Sequence, residues 1–145
     1  LIAPPFSLKS QAASKSLCEH SGGHMFQLRP DLLIMDGKSV CAVLDTKWKL
    51  LNIADKSNKY GLSQSDFYQL FAYGHKYLNG KGAMMLVYPK TASFAEVLPN
   101  FRFSADLTLW VVPFDLVNKV LEWPEDLNGF CTSFELEANR RVLRG

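Results

Sequence analysis

Asp45 and Lys47 follow directly on the apolar run Cys41-Ala42-Val43-Leu44, and another acid, Asp31, lies one run earlier in the chain. Residues two apart on a strand project to the same face, so Asp45 and Lys47 emerge together, Lys49 continues that face and Trp48 points away. Charges that close a buried strand are costly unless they are paired or hold a metal. Two neighbouring carboxylates repel and retain a proton. A hard cation such as Mg²⁺ lets both ionise and supply one or two of its oxygen ligands, leaving water and a substrate phosphate to complete the shell. A cation so held acidifies a bound water, and the adjacent ammonium can orient a nucleophile or stabilise developing charge. The chemistry these residue types support is phosphodiester hydrolysis.

Asp31 joins the pair only if the hairpin between the two runs has the right phase. A three-residue loop, Asp36 to Lys38, sets Asp31 opposite Val43 and diagonal to Asp45 on one face, and a five-residue loop sets it directly opposite Asp45. A regular two-residue loop sends the two acids to opposite faces, and the site then fails unless a bulge restores the phase.

The elements that must position these residues are readable from periodicity. Met25–Met35 and Ser39–Leu50 are two β-rich runs divided by Asp36-Gly37, a hairpin signal. The second is apolar on both faces and reads as a central strand. The polar stretch Asn52–Leu62 reads as a mobile loop. A helix begins near Ser63, with Asp66 completing a capping box or Ser65 as the alternative cap. Its core stripe is Phe67, Leu70, Phe71, Gly74 and Leu78, and Asn79-Gly80 ends it. Ala83–Tyr88, stopped by Pro89, and Leu107–Val112, stopped by Pro113, read as short strands, and Ser133–Leu143 as a C-terminal helix with Arg140, Arg141 and Arg144 near its end. Strand, helix, strand with short links makes an α/β crossover beside a hairpin. Residues 1–25 show no sustained period. They read as a flexible or partial N-terminal segment with a short helix near Ser10–Leu17, ahead of one domain over 26–145.

At 145 residues the chain can bury one core, and 48% apolar with 21% charged content is ordinary for a globular domain. A net charge of +2 leaves any DNA-facing charge to local patches. No apolar run is long enough to span a bilayer. The chain opens on Leu1, which reads as a C-terminal fragment of something longer. Three cysteines without a paired spacing read as a reduced protein in the cytoplasm, with Cys41 a small buried hydrophobe. Cys18, His20 and His24 have loosely zinc-like spacing without a fourth ligand. Trp48, Trp110 and Trp123 read as packing residues, and His75 as a surface one. Lys56, Lys59, Lys76 and Lys81 could meet DNA phosphates or simply be solvated.

"RPD", then "LDTKWK", then "DFYQLFAYGHKY" resembles the PD-(D/E)xK nucleases, most closely the McrC-like branch that serves the bacterial McrBC modification-dependent restriction system. The similarity runs from about Leu28 to Pro89. It implies a restriction-endonuclease-like mixed β-sheet with flanking helices, and a Mg²⁺-dependent DNA endonuclease, Mn²⁺ substituting, in the bacterial cytoplasm. It implies Asp31, Asp45 and the Thr46 backbone carbonyl as metal ligands, with Lys47 as catalytic lysine. Gln69 and Tyr73 match the Q-x-x-x-Y helix motif of the RecB-like branch, which implies that their helix face lines the site with Gln69 near the scissile phosphate; Tyr73, Lys49 and Lys76 are candidate DNA contacts. The partners implied are modified double-stranded DNA and an McrB-like AAA+ GTPase. No GxxxxGK[ST] occurs in this chain to bind nucleotide itself. Many relatives add a Glu from an upstream helix, and here only Glu19 precedes Asp31. The alternatives are a RecB-like nuclease of another repair or defence system, and a degenerate nuclease fold that binds DNA or organises an assembly.

Overall fold

The computed structural model describes residues 6–10 and 15–125. Three strands open the chain: β1 (Phe6–Ser10), β2 (Lys15–His20) and β3 (Gly23–Leu28). Where it is described, the segment that lacks a sequence period is therefore mostly strand, and strand replaces the short helix expected around Ser10–Leu17 at its described ends. β2 and β3 form a separate two-stranded sheet. The run Met25–Met35 is likewise two elements, because Arg29-Pro30-Asp31 separates β3 from β4 (Leu32–Asp36).

β4 turns into β5 (Ser39–Thr46) through Gly37-Lys38, with Gly37 at φ +59°, a region glycine enters without a Cβ penalty. Pairing begins in simple register, Asp36 with Ser39 and Met35 with Val40, and then shifts, so that Ile34 pairs with Ala42, Leu33 with Val43 and Leu32 with Leu44. Cys41 is the extra residue of a β-bulge. It is buried and disulfide-bonded, which corrects the reading of a simple buried thiol.

From β5 the chain crosses over through α1 (Gln64–Leu78) to β6 (Gly82–Pro89), which lies parallel to β5. After β7 (Phe101–Arg102), β8 (Leu107–Asp115) runs parallel to β6. β9 (Val120–Leu121) pairs with the end of β8, and the mixed sheet has the order β1-β4-β5-β6-β8-β7. Pro113 does not stop β8. It sits within the strand opposite Tyr88, and its carbonyl accepts from the N–H of Glu122.

Alternation along the strands divides the core in two. Leu33, Val43, Met84, Leu86, Leu107 and Leu109 face α1, while Ile34, Ala42, Leu44, Met85, Trp110 and Val112 pack on the other side. α1 buries Leu70, Tyr73, Gly74, Tyr77 and Leu78, so its core stripe is rotated from the expected one and leaves Phe71 half exposed. Gly74 permits the close approach: a Cβ there would lie 2.7 Å from Met84 Sδ and 2.8 Å from a Leu107 methyl. The small hairpin is tied to the same helix, since Lys15 N–H donates to the Tyr77 hydroxyl and Tyr77 donates to the Leu28 carbonyl. The loop before α1 is anchored as well. Asn52 N–H bonds the Tyr60 carbonyl, Ile53 N–H bonds that of Ser93, and Lys56–Gly61 forms a 3₁₀ turn. The expected helix over 133–143 lies outside the described residues.

Candidate active site

The bulge decides the phase of the acids. With Leu32 paired to Leu44, the next register step sets Asp31 opposite Asp45. Leu33 and Val43 face α1, so alternation turns both acids toward the helix as well. The loop is the two-residue one that would have separated them, and the extra residue at Cys41 restores the phase.

Asp45 is buried, at 4% exposure, and is the single buried charged residue among those described. Asp31 is exposed at the rim, where its Oδ2 accepts from the Thr46 backbone N–H at 2.8 Å and from the Thr46 hydroxyl at 2.7 Å. Burial pushes the Asp45 carboxyl above its ordinary range. The hydrogen bond and charge of Lys47 oppose this, the charge of Asp31 adds to it, and the Asp31 N–H works against it.

Lys47 reaches three acceptors, as many as an ammonium has donors: Asp45 Oδ2 at 2.7 Å, Gln69 Oε1 at 2.9 Å and Asp66 Oδ1 at 3.3 Å. Burial works against its charge, but the bond and charge of Asp45, followed by those of Asp66, outweigh it and raise the pKa. Gln69 in turn donates its Nε2 to the Tyr73 hydroxyl at 2.8 Å, which fixes which end of the amide faces Lys47. Tyr73 is 1% exposed and stacks edge-on against Tyr77. Its pKa is raised, first by burial and then by the charge of Asp45. The direct DNA contact expected of Tyr73 does not suit this burial; the phenol sits behind Gln69 and braces it.

Lys49 and Lys76 are both exposed. Lys49 lies just beyond β5, near the acids, whereas Lys76 is on the far half of α1, where its carbonyl accepts from Lys15 Nζ. Trp48 corrects the packing expectation: it is 82% exposed. A cavity of about 650 Å³ on the sheet face away from α1 is lined by Leu44, Trp48, Phe114, Leu121 and Trp123 and reaches Lys47 at its end. The zinc-like triad does not assemble. His24 Nδ1 meets Ser16 Oγ at 2.9 Å and Glu19 at 3.5 Å, Cys18 is a free exposed thiol, and no cluster of three or more His, Cys, Asp or Glu occurs among the described residues.

A family model described as McrBC 5-methylcytosine restriction system component matches residues 2–89. The chain belongs to this family. The McrBC-family match covers more than half of the chain and spans the acids, Lys47 and the whole of α1. Among solved structures, the chain is similar to one in the "Refined half-complex from tetradecameric assembly of Thermococcus gammatolerans McrB AAA+ hexamers with bound McrC", with TM-score 0.56 and 17% identity over 95% of this chain. At that identity the likeness is one of fold, and this chain spans only 29% of the length of that one. No curated protein matches. Among the described residues, no helix is long and apolar enough to cross a membrane.

Two neighbours of the site in this McrBC-family chain are not evident from sequence. Asp66 fits a capping box by spacing, yet Ser63 makes no side-chain cap and its hydroxyl meets Ser65 instead, while Asp66 turns to Lys47. The available signal is a second spacing: Asp66, Gln69 and Tyr73 fall at i, i+3 and i+7, one helical face. Tyr88, an apolar strand residue by pattern, turns its side chain to the α1 side of β6. Its hydroxyl is buried and lies close to Asp66. Burial, then the nearby charge of Asp66, pushes its pKa far up.

Proposed function

We propose that this McrBC-family chain carries the metal-dependent endonuclease of its restriction system, an McrC-like domain with a PD-(D/E)xK core that hydrolyses phosphodiester bonds in DNA. The observation that carries the reading is the placement of Asp31 opposite Asp45 on the face that also holds Lys47 and Gln69.

The donor set suits Mg²⁺, with Mn²⁺ as a substitute. It consists of carboxylates alone, without imidazole or thiolate, and the Asp45 carboxyl is raised first by burial and in part by the charge of the second acid, a repulsion that a divalent cation would relieve. Asp31, Asp45 and the Thr46 carbonyl would hold the ion. When bound, it supplies an acidified water and charge neutralisation at the phosphate. The chain's own residues supply the rest. Thr46 orients Asp31 through two hydrogen bonds. Lys47, fixed by its three acceptors, presents an ammonium to the attacking water or the developing phosphorane charge. Gln69, braced by Tyr73, lies near the scissile phosphate, and exposed Lys49 and Lys76 offer backbone contacts.

The family description supports DNA bearing 5-methylcytosine as the substrate. In the similar solved structure McrB AAA+ hexamers hold bound McrC, which supports an McrB-like GTPase as the partner that engages and moves the DNA. Calorimetric titration of the intact protein with Mg²⁺ and Mn²⁺, repeated on Asp31→Ala and Asp45→Ala, tests the site. Both variants should lose binding. Cleavage of methylated DNA with the McrB-like partner and GTP tests the activity, and Lys47→Ala should slow it by at least ~10²–10³. Normal cutting by Lys47→Ala would remove the lysine from its role.

A further inference from the structure

Lys47 has two carboxylates at hand, and they sit on different elements. Asp45 comes from β5, two residues away in the chain. Asp66 comes from the first turn of α1 and is 3.3 Å from the ammonium, with a side chain only 19% exposed. Asp45 cannot serve two cations equally well. A divalent ion on Asp45 and Asp31 repels the Lys47 ammonium and competes with it for the same oxygens, since like charges within a few ångströms in a poorly solvated site interact strongly. An ammonium left with Asp45 as its sole anion must either block the metal or be displaced by it.

We infer that Asp66 is a positioning residue that holds Lys47 from the helix side, so that Asp45 can give its oxygens to the cation while the lysine stays in place. The inference rests on the metal-dependent nuclease reading above and deepens it. Three features of the geometry support a holder rather than a ligand. Asp66 approaches the ammonium and does not join Asp31 and Asp45 in a three-acid cluster. It acts with Gln69, one helical turn on, so that α1 contributes two of the three acceptors around Lys47. The buried Tyr88 hydroxyl lies beside Asp66, whose charge and hydrogen bond follow burial in raising its pKa, so it backs this carboxylate from the sheet side. Partners of this outer kind are worth ~10–100-fold in metal affinity or activity.

The test compares Asp66→Asn and Asp66→Glu with the parent, using Mg²⁺ and Mn²⁺ calorimetry and steady-state cleavage by the protein with its McrB-like partner. Asp66→Asn keeps the size and one acceptor oxygen but loses the charge. It should weaken Mg²⁺ binding by ~10-fold or more and lower kcat by ~10–100-fold with KM for DNA little changed. Asp66→Glu, which restores the charge, should recover much of both. Unchanged metal affinity and kcat in Asp66→Asn would overturn the inference, as would a lowered melting temperature with metal binding intact. Loss of a whole equivalent of bound Mn²⁺ would also overturn it, by making Asp66 a ligand. If Asp45→Ala itself binds Mg²⁺ like the parent, the nuclease reading fails, whereas failure of Asp66→Asn alone leaves that reading standing.

Discussion

Asp31 stands opposite Asp45 because Cys41 is an extra residue in β5. From the two-residue turn the strands begin with Asp36 beside Ser39, and in that register Asp31 would meet Leu44 and look away from Asp45. The bulge shifts the register by one, which brings the carboxylates to one face and leaves Cys41 and Ala42 together on the other.

Proton and cation should compete at this pair. The Asp45 carboxyl is raised above its ordinary 3.8, chiefly by burial. The stability tied to its protonated form is fully present below that value and is lost as pH rises through the folded value. A cation needs the ionised form. Mg²⁺ affinity should therefore fall as pH drops from neutrality toward the ordinary 3.8, with protons released on binding wherever Asp45 is protonated. Calorimetry in two buffers of different ionisation enthalpy reads this directly, and binding that ignores pH over that range would show that Asp45 is not a ligand.

Lys47 gives the opposite end of the pH scale. Burial opposes its charge, but Asp45 and Asp66 outweigh it, so its pKa lies above the ordinary 10.5. Its contribution is fully present below 10.5 and is lost as pH rises through the higher folded value. Lys47→Met, which leaves Asp45 buried without its cation, should cost about 1–3 kcal/mol near neutrality. The difference in Tm from the parent should hold to about pH 10 and shrink above it. A difference that grew with alkali would contradict the ion pair.

Tyr73→Phe deletes the hydroxyl that accepts from Gln69 Nε2 and nothing else of the ring. We expect a loss of ~0.5–1.5 kcal/mol, as for a single hydrogen bond, together with increased mobility of the Gln69 side-chain amide by NMR relaxation. An unchanged amide would mean that Gln69 is held without Tyr73. In the parent, spectrophotometric titration should find Tyr73 ionising above the ordinary value of 10, because burial and the Asp45 charge both disfavour the phenolate.

Gly74→Ala sets two effects against each other. Alanine is better than glycine inside a helix by about 1 kcal/mol. Here, however, the added methyl would meet Met84 Sδ at 2.7 Å and both Leu107 methyl groups at 2.8 and 2.9 Å. Those side chains are themselves buried and have little room to swing aside. Overpacking costs ~1–3 kcal/mol, so the variant should be destabilised, which a thermal melt would register. A raised Tm would show that α1 can lift from the sheet.

Chain order and local pattern were enough for much of this protein. The apolar run ahead of Asp45, the Asp36-Gly37 turn, the i, i+3, i+4 spacing in α1 and its Asn79-Gly80 stop each act within a few residues, through alternation, turn chemistry and helix periodicity. Asn79 takes the left-handed conformation at φ 55° that such an ending requires. The same locality made Asp45, Lys47, Gln69 and Tyr73 legible as candidates, two on one strand face and two on one helix face.

What tertiary structure decided is whatever depends on partners distant in the chain. No local signal marks Cys41 as a bulge, since the bulge exists only in the pairing of β5 with β4, and on it turns whether Asp31 shares a face with Asp45. Strands β1 to β3 are short and mostly exposed, so they lack an apolar period and are defined by what they pair with. Pro113 lies inside a strand because the sheet continues past it. Asp66 fits a helix cap by sequence, but Lys47, nineteen residues earlier, offers its carboxylate a charge, and an ion pair in a half-buried site outweighs a hydrogen bond to an exposed backbone N–H.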